Sequence, residues 1–116
     1  MIRDEIVYLR HVLDAIARIE KYTDGVDDQT FRDDTLIQDG VIRQLEIIGE
    51  AVKHLSPVLC GNHPHIPWQD IAGTRDVLIH DYFGVNLDEV WVMVKRDIPV
   101  LKAEVTRMLA DDRTNP

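Results

Sequence analysis

Apolar residues recur at helical intervals along almost the whole chain. Ile6, Leu9, Val12, Leu13, Ile16 and Ile19 fall three and four apart and make one stripe, which predicts a helix over about Arg3 to Tyr22. A short helical turn is expected around Gln29 to Asp33. A second long helix follows over about Asp34 to Leu55. On it Val41, Leu45, Ile48, Val52 and Leu55 share one face, while Arg43, Glu46, Glu50 and His54 share the opposite one. Gly49 inside that helix costs about 1 kcal/mol relative to alanine, so its expected use is to let another helix come close.

The stretch Ser56 to Ile66 carries two prolines and a glycine and reads as a loop. Pro67 suits the first turn of a further helix, with Asp70 near its positive end, and that helix should stop near Gly84. Asn86 has the chemistry of an N-cap, with Glu89 three residues later as its capping-box partner. The last helix should reach about Asp111, and Pro99 inside it deletes one backbone bond and should kink it. No segment alternates as a strand does. The pattern predicts an all-α chain, an antiparallel four-helix bundle with room for a short fifth helix, forming a single domain over residues 1–116.

Composition fits that picture. Of 116 residues, 45% are hydrophobic and 29% charged, enough to fill one core and keep its surface wet. The longest wholly apolar run, Val90 to Val94, has five residues, far short of the roughly 20 that span a bilayer. Met1-Ile2-Arg3-Asp4-Glu5 places acids where a signal peptide needs a basic and then an apolar region, so a cytoplasmic location is expected. Cys60 is the one cysteine, which excludes an intrachain disulfide and a cysteine-based zinc site. The net charge of −8 argues against a protein that coats nucleic acid by charge alone, because such binding draws on lysines and arginines that displace counterions. Cutting RNA needs only a few arginines gathered in one groove.

The chemistry-bearing segment is Arg75-Asp76-Val77-Leu78-Ile79-His80-Asp81-Tyr82. On a helix Asp76 and His80, four apart, share a face, and a carboxylate there would orient the imidazole and raise its proton affinity. Arg75 and Tyr82, seven apart, share a second face with Ile71 and Leu78. An arginine inside an apolar stripe is costly unless something pairs with it. A metal-free ribonuclease needs a base for the ribose 2′-hydroxyl, an acid for the leaving oxygen and a fixed cation for the phosphoryl oxygens; it needs no cofactor. His80 suits the first two tasks and Arg75 the third. The two lie roughly 140° apart around an ideal helix, so one helix does not easily aim both at one phosphate. Two copies about a two-fold axis do, each supplying Arg75 and His80 to a shared cleft.

Ordinary readings stay open for each residue. Arg75 would also fit an ion pair with Glu46 or Glu50, His80 a helix-end histidine beside terminal carbonyls, and Tyr82 and Phe83 core aromatics. The stripe Arg43, Glu46, Glu50, His54 fits a solvated face. His63-Pro64-His65 hints at a metal but lacks a third clear ligand. Cys60 fits a small apolar filler.

The run from Ile66-Pro67-Trp68 through Arg75-Asp76-Val77-Leu78-Ile79-His80-Asp81-Tyr82 to Phe83-Gly84-Val85, with Ile47-Ile48-Gly49-Glu50-Ala51-Val52 upstream, closely resembles HepT-like proteins of the HEPN superfamily. The resemblance covers nearly the whole chain in length and helix order. It implies a ribonuclease whose site holds the arginine and histidine of an Arg-x4-His-x-Tyr motif, here Arg75 and His80, supported by the polar residue Asp76. It implies a homodimer with the site at the interface. It also implies a toxin paired with a minimal nucleotidyltransferase antitoxin, which silences it by transferring AMP to the motif tyrosine, here Tyr82. A non-catalytic helical subunit that binds such a nucleotidyltransferase and accepts AMP is the alternative within the same resemblance.

Overall fold

The computed structural model describes residues 2–73 and 86–114. The fold is all-α, as the periodicity predicts, with no strand among the described residues. Helix α1 spans Arg3–Thr23, α2 Asp28–Asp33, α3 Thr35–Lys53 and α4 Pro57–Gly61. Residues 68–73 form α5. After it come α6 over Leu87–Val92, a π-helical turn over Met93–Asp97, and α7 over Ile98–Thr114. No described helix is long and apolar enough to cross a membrane.

The long helices bury the stripes that their spacing announces. α1 packs along α3 and against α7. Leu9, Val12, Ile16 and Ile19 of α1 share one buried cluster with Val41, Leu45, Ile48 and Val52 of α3 and with Ile98, Leu101 and Val105 of α7. Removing each such side chain from water contributes about 1.5–3 kcal/mol. α2 packs against α3 and α6. It is held by Phe31, which is wholly buried and stacks on Trp91 with ring centres 4.8 Å apart.

Local chemistry sets the helix starts. Asp27 caps α2, its Oδ1 accepting the Thr30 N–H at 2.8 Å. Asp34 caps α3, accepting from the N–H groups of Leu36 and Ile37 at 3.0 and 3.2 Å. Helix-end donors otherwise go unpaired, which is why a short polar acceptor stands at these two starts, whereas α1 begins after Ile2 with no side-chain cap. The backbone bond from Thr30, followed by that residue's hydroxyl, holds the Asp27 carboxyl below its ordinary pKa. A group whose folded-state pKa is depressed stabilises above its unfolded pKa, and the contribution is lost as pH falls through the folded value. Wild type is therefore expected to melt above Asp27→Ala near neutral pH. The gap should narrow below about pH 4, where the free carboxyl titrates. A gap that widened on acidification would contradict this, and melting curves from pH 7 to 3 decide it.

Three sequence expectations need correction. Ser56 to Ile66 is not wholly a loop, because α4 lies within it: Ser56 Oγ accepts the Leu59 N–H at 3.1 Å and Pro57 occupies the first turn. Pro67 stands at the start of α5 rather than inside its first turn, its carbonyl accepting the Ile71 N–H at 3.0 Å. The disturbance expected at Pro99 lies one turn earlier, as the π turn Met93–Asp97, where the Ile98 N–H reaches back to the Met93 carbonyl. In a regular helix the Pro99 ring would press on the carbonyl four residues earlier, and one extra residue in the preceding turn relieves that contact. Gly49 is buried in α3. A close approach is seen at Gly40, where a Cβ would meet the Tyr22 ring at 3.1 Å.

Candidate functional site

Arg75, Asp76, His80 and Tyr82, the residues singled out by the motif, lie outside the described residues, and so does Phe83. What the structure does describe is the frame at both ends of the segment that carries them.

Upstream, Trp68 and Ile71 are buried in the common core. The single indole N–H of Trp68 is shared between the carbonyls of Cys60 and His63, at 3.1 and 3.0 Å. This fastens the start of α5 to α4 and to the loop between them. Downstream, Asn86 caps α6, its Oδ1 accepting the N–H groups of Asp88 and Glu89 at 3.0 and 3.3 Å. Asp88 then meets Arg32 of α2, with Nη2 to Oδ1 at 2.7 Å. Both side chains are about half exposed, so this ion pair orients more than it stabilises. Burial of Val90 and the Phe31–Trp91 stack hold α6 beneath it. The motif thus runs between two anchored helix starts.

The loop ahead of α5 is tied to α7 by a contact that the sequence does not announce. Glu104 is 8% exposed, and its carboxylate meets His63 Nδ1 at 3.7 Å, His65 Nε2 at 3.2 Å and Arg107 Nη1 at 3.0 Å. The two histidines that hinted at metal therefore share a carboxylate, and Arg107 brings a positive charge to it. Among the described residues no three His, Cys, Asp or Glu side chains are grouped so as to hold a metal ion. Glu5 is buried likewise and accepts the Ser56 N–H at 2.9 Å, joining the first turn of α1 to the start of α4. Burial, with the nearby charge of Glu5, pushes the Cys60 thiol up. A protonated thiol is a poor nucleophile, which suits the filler role expected of it.

The polar face of α3 is exposed but not featureless. Arg43 meets Glu46 at 3.4 Å, and His54 meets Glu50 at 3.4 Å. Tyr8 of α1 lies flat on His54, with ring centres 4.4 Å apart and planes 6° from parallel, and His11 stands edge-on to Tyr8. Tyr8 and His11, three apart on α1, were not singled out in the sequence. Their helical spacing was the available signal, but nothing in it says that α3 brings polar side chains alongside.

Comparison with known proteins gives this frame its context. The ribonuclease HepT-like family matches residues 12–108, which takes in α3, the motif and most of α7. A "probable ribonuclease HepT" of Thermococcus cleftensis is 44% identical over 101 residues, 87% of this chain and 92% of the relative. A "putative RNase" of Caldanaerobacter subterraneus subsp. tengcongensis is 38% identical over 106 residues, covering 91% and 95%. A Methanocaldococcus jannaschii protein named "gamma-glutamylcyclotransferase and putative RNase" is 43% identical over 111 residues. That match takes in 96% of this chain but spans only 50% of the archaeal protein. No solved structure matches the chain. With a family match over most of its length and two relatives covered almost end to end, the chain belongs to the HepT-like ribonuclease family.

Proposed function

We propose that the chain is a metal-independent endoribonuclease, the toxin of a toxin–antitoxin pair, acting on cytoplasmic RNA as a single-domain homodimer. The observation that carries this reading is the family match over residues 12–108, which encloses the whole Arg-x4-His-x-Tyr segment. In the proposed reaction a base takes the proton of a ribose 2′-hydroxyl. The oxygen then forms a bond to the adjacent phosphorus while the P–O5′ bond breaks, and an acid returns a proton to O5′. One fragment ends in a 2′,3′-cyclic phosphate and the other in a free 5′-hydroxyl. His80 carries proton transfer, Asp76 orients its ring, and Arg75 holds the phosphoryl oxygens with a fork that stays charged through the reaction.

The antitoxin is proposed to be a minimal nucleotidyltransferase that places AMP on Tyr82. Added phosphate so near His80 in sequence brings negative charge and bulk to the region where substrate phosphate must sit. Support for this part is the motif tyrosine itself, two residues beyond His80.

The purified protein is expected to cut RNA in excess chelator, leaving cyclic-phosphate and 5′-hydroxyl ends, and to arrest growth when expressed without its partner. Cleavage that stopped in chelator and returned with a divalent cation would overturn metal independence. Tight binding to a nucleotidyltransferase and AMP transfer, with no cleavage and no growth arrest, would make the chain an acceptor subunit instead.

A further inference from the structure

We infer that the groove between α1 and α3 is a subsite for one unstacked nucleobase, and that its chemistry selects guanine. The inference rests on the ribonuclease reading only for its use in RNA recognition. The groove itself is built from described residues. It encloses 330 Å³, and Tyr8, His11, Arg43, Glu46 and Glu50 line it. That volume lies at the small end of ligand sites, which run from roughly 300 to 1,000 Å³, and matches a single nucleoside better than a helix or a peptide.

Three features of the lining specify the ligand. The first is a row of rings. Tyr8 and His11 line the groove and meet edge-on at 6.0 Å and 90°, while His54, outside the lining, covers one face of Tyr8 at 4.4 Å. Splayed RNA bases stack on such flat side chains, at a gain of about 1–3 kcal/mol per base. The second is the carboxylate of Glu46, whose side chain is 21% exposed and so held at the groove rather than swept through solvent. A carboxylate accepts hydrogen bonds and donates none, and its two oxygens lie side by side. Among the four RNA bases only guanine offers two adjacent donors, N1–H and the N2 amino group, on its Watson–Crick edge. Adenine and cytosine each place a ring acceptor beside their one amino group, and uracil flanks its N3–H with two carbonyls, so each sets lone pairs against the carboxylate. The third is Arg43, its guanidinium 3.4 Å from Glu46 and its side chain 68% exposed. It stands at the rim, where a nucleotide's phosphate would reach solvent, and a planar guanidinium suits that phosphate.

The acidic lining also explains what the groove does not take. The Glu46 carboxylate would repel a backbone phosphate brought inside the groove, so the groove reads a base and leaves the phosphate at the edge.

The test uses mononucleotides that the protein cannot cleave, followed by NMR on the full-length wild-type protein. GMP is expected to shift the ring signals of Tyr8, His11 and His54 and to bind about tenfold more tightly than AMP, CMP or UMP, the difference made by hydrogen bonds to a charged group. Glu46→Gln should weaken GMP about tenfold and erase the preference while leaving the melting temperature unchanged. His11→Ala, at an exposed position, should weaken all four nucleotides alike. Equal shifts from all four, shifts confined to another face, or GMP binding by Glu46→Gln at wild-type strength would each overturn the proposal. GMP binding by a protein that cuts no RNA would support the subsite and refute the ribonuclease reading, so the two fail separately.

Discussion

His80→Ala is expected to lower RNA cleavage at least about a thousandfold while leaving helical content and oligomeric state as in wild type. A positioned acid or base contributes roughly 10²–10⁴ in rate, and one histidine serving both proton transfers stands at the upper end of that range. Arg75→Ala should lose a comparable factor, because no other residue of the motif carries a fixed positive charge. The more informative measurement mixes the two variants. If Arg75 of one protomer and His80 of the other converge on one phosphate, as the roughly 140° that five residues span on an ideal helix suggests, each mixed dimer has one intact site and one site lacking both groups. Random mixing makes half the dimers mixed, so activity should return to roughly a quarter of wild type. If each site used its own protomer's pair, no mixed dimer would hold an intact site and activity would stay lost. A His80→Ala protein as active as wild type would end the catalytic assignment.

How much of this was legible beforehand depends on how far apart in sequence the deciding partners stand. The starts and faces of α1 and α3 follow from their own residues, because a helix stripe is a local pattern and Asp34 caps from within it. Asn86 was readable for the same reason. α4 was missed although Ser56-Pro57 is a good start signal, since two prolines and a glycine in eleven residues read more loudly as a break. Glu5 and Glu104 were out of reach altogether. A charged residue is ordinarily a surface residue. Only the fold brings Ser56 to the one, and His63 and His65 to the other, across 51 and about 40 positions of chain. The metal hint of His63-Pro64-His65 met the same limit: the two histidines invite a third partner, and that partner is a carboxylate which Arg107 also holds. The candidate site was legible as a motif, and the structure adds the anchored helix starts on either side of it. Trp68 and Asp88 contribute there through partners on α4, its following loop and α2.

Those anchors are why Phe31→Ala should be among the most damaging changes outside the motif. Phe31 is wholly buried in a helix of six residues, which gains little from its own backbone bonds and holds its place by docking. Truncating it removes the ring that stacks on Trp91 and leaves a cavity between α2 and α6, at a cost of roughly 3–5 kcal/mol. The surrounding contacts do not offset that loss. Gln38 Nε2 donates to the Phe31 and Arg32 carbonyls at 2.9 Å each, but those bonds hold the backbone and not the cavity. The Arg32–Asp88 pair is too exposed to add more than about 1 kcal/mol. The melting temperature is therefore expected to fall by roughly 12–25 °C. Leu36→Ala, at a position 81% exposed, should stay within about 0.5 kcal/mol. A Phe31→Ala loss near 1 kcal/mol would mean that α2 is held by its polar ties alone. A large loss, with RNA cleavage falling at temperatures where the variant is still folded, would instead show that α2 steadies the helix start immediately downstream of the motif.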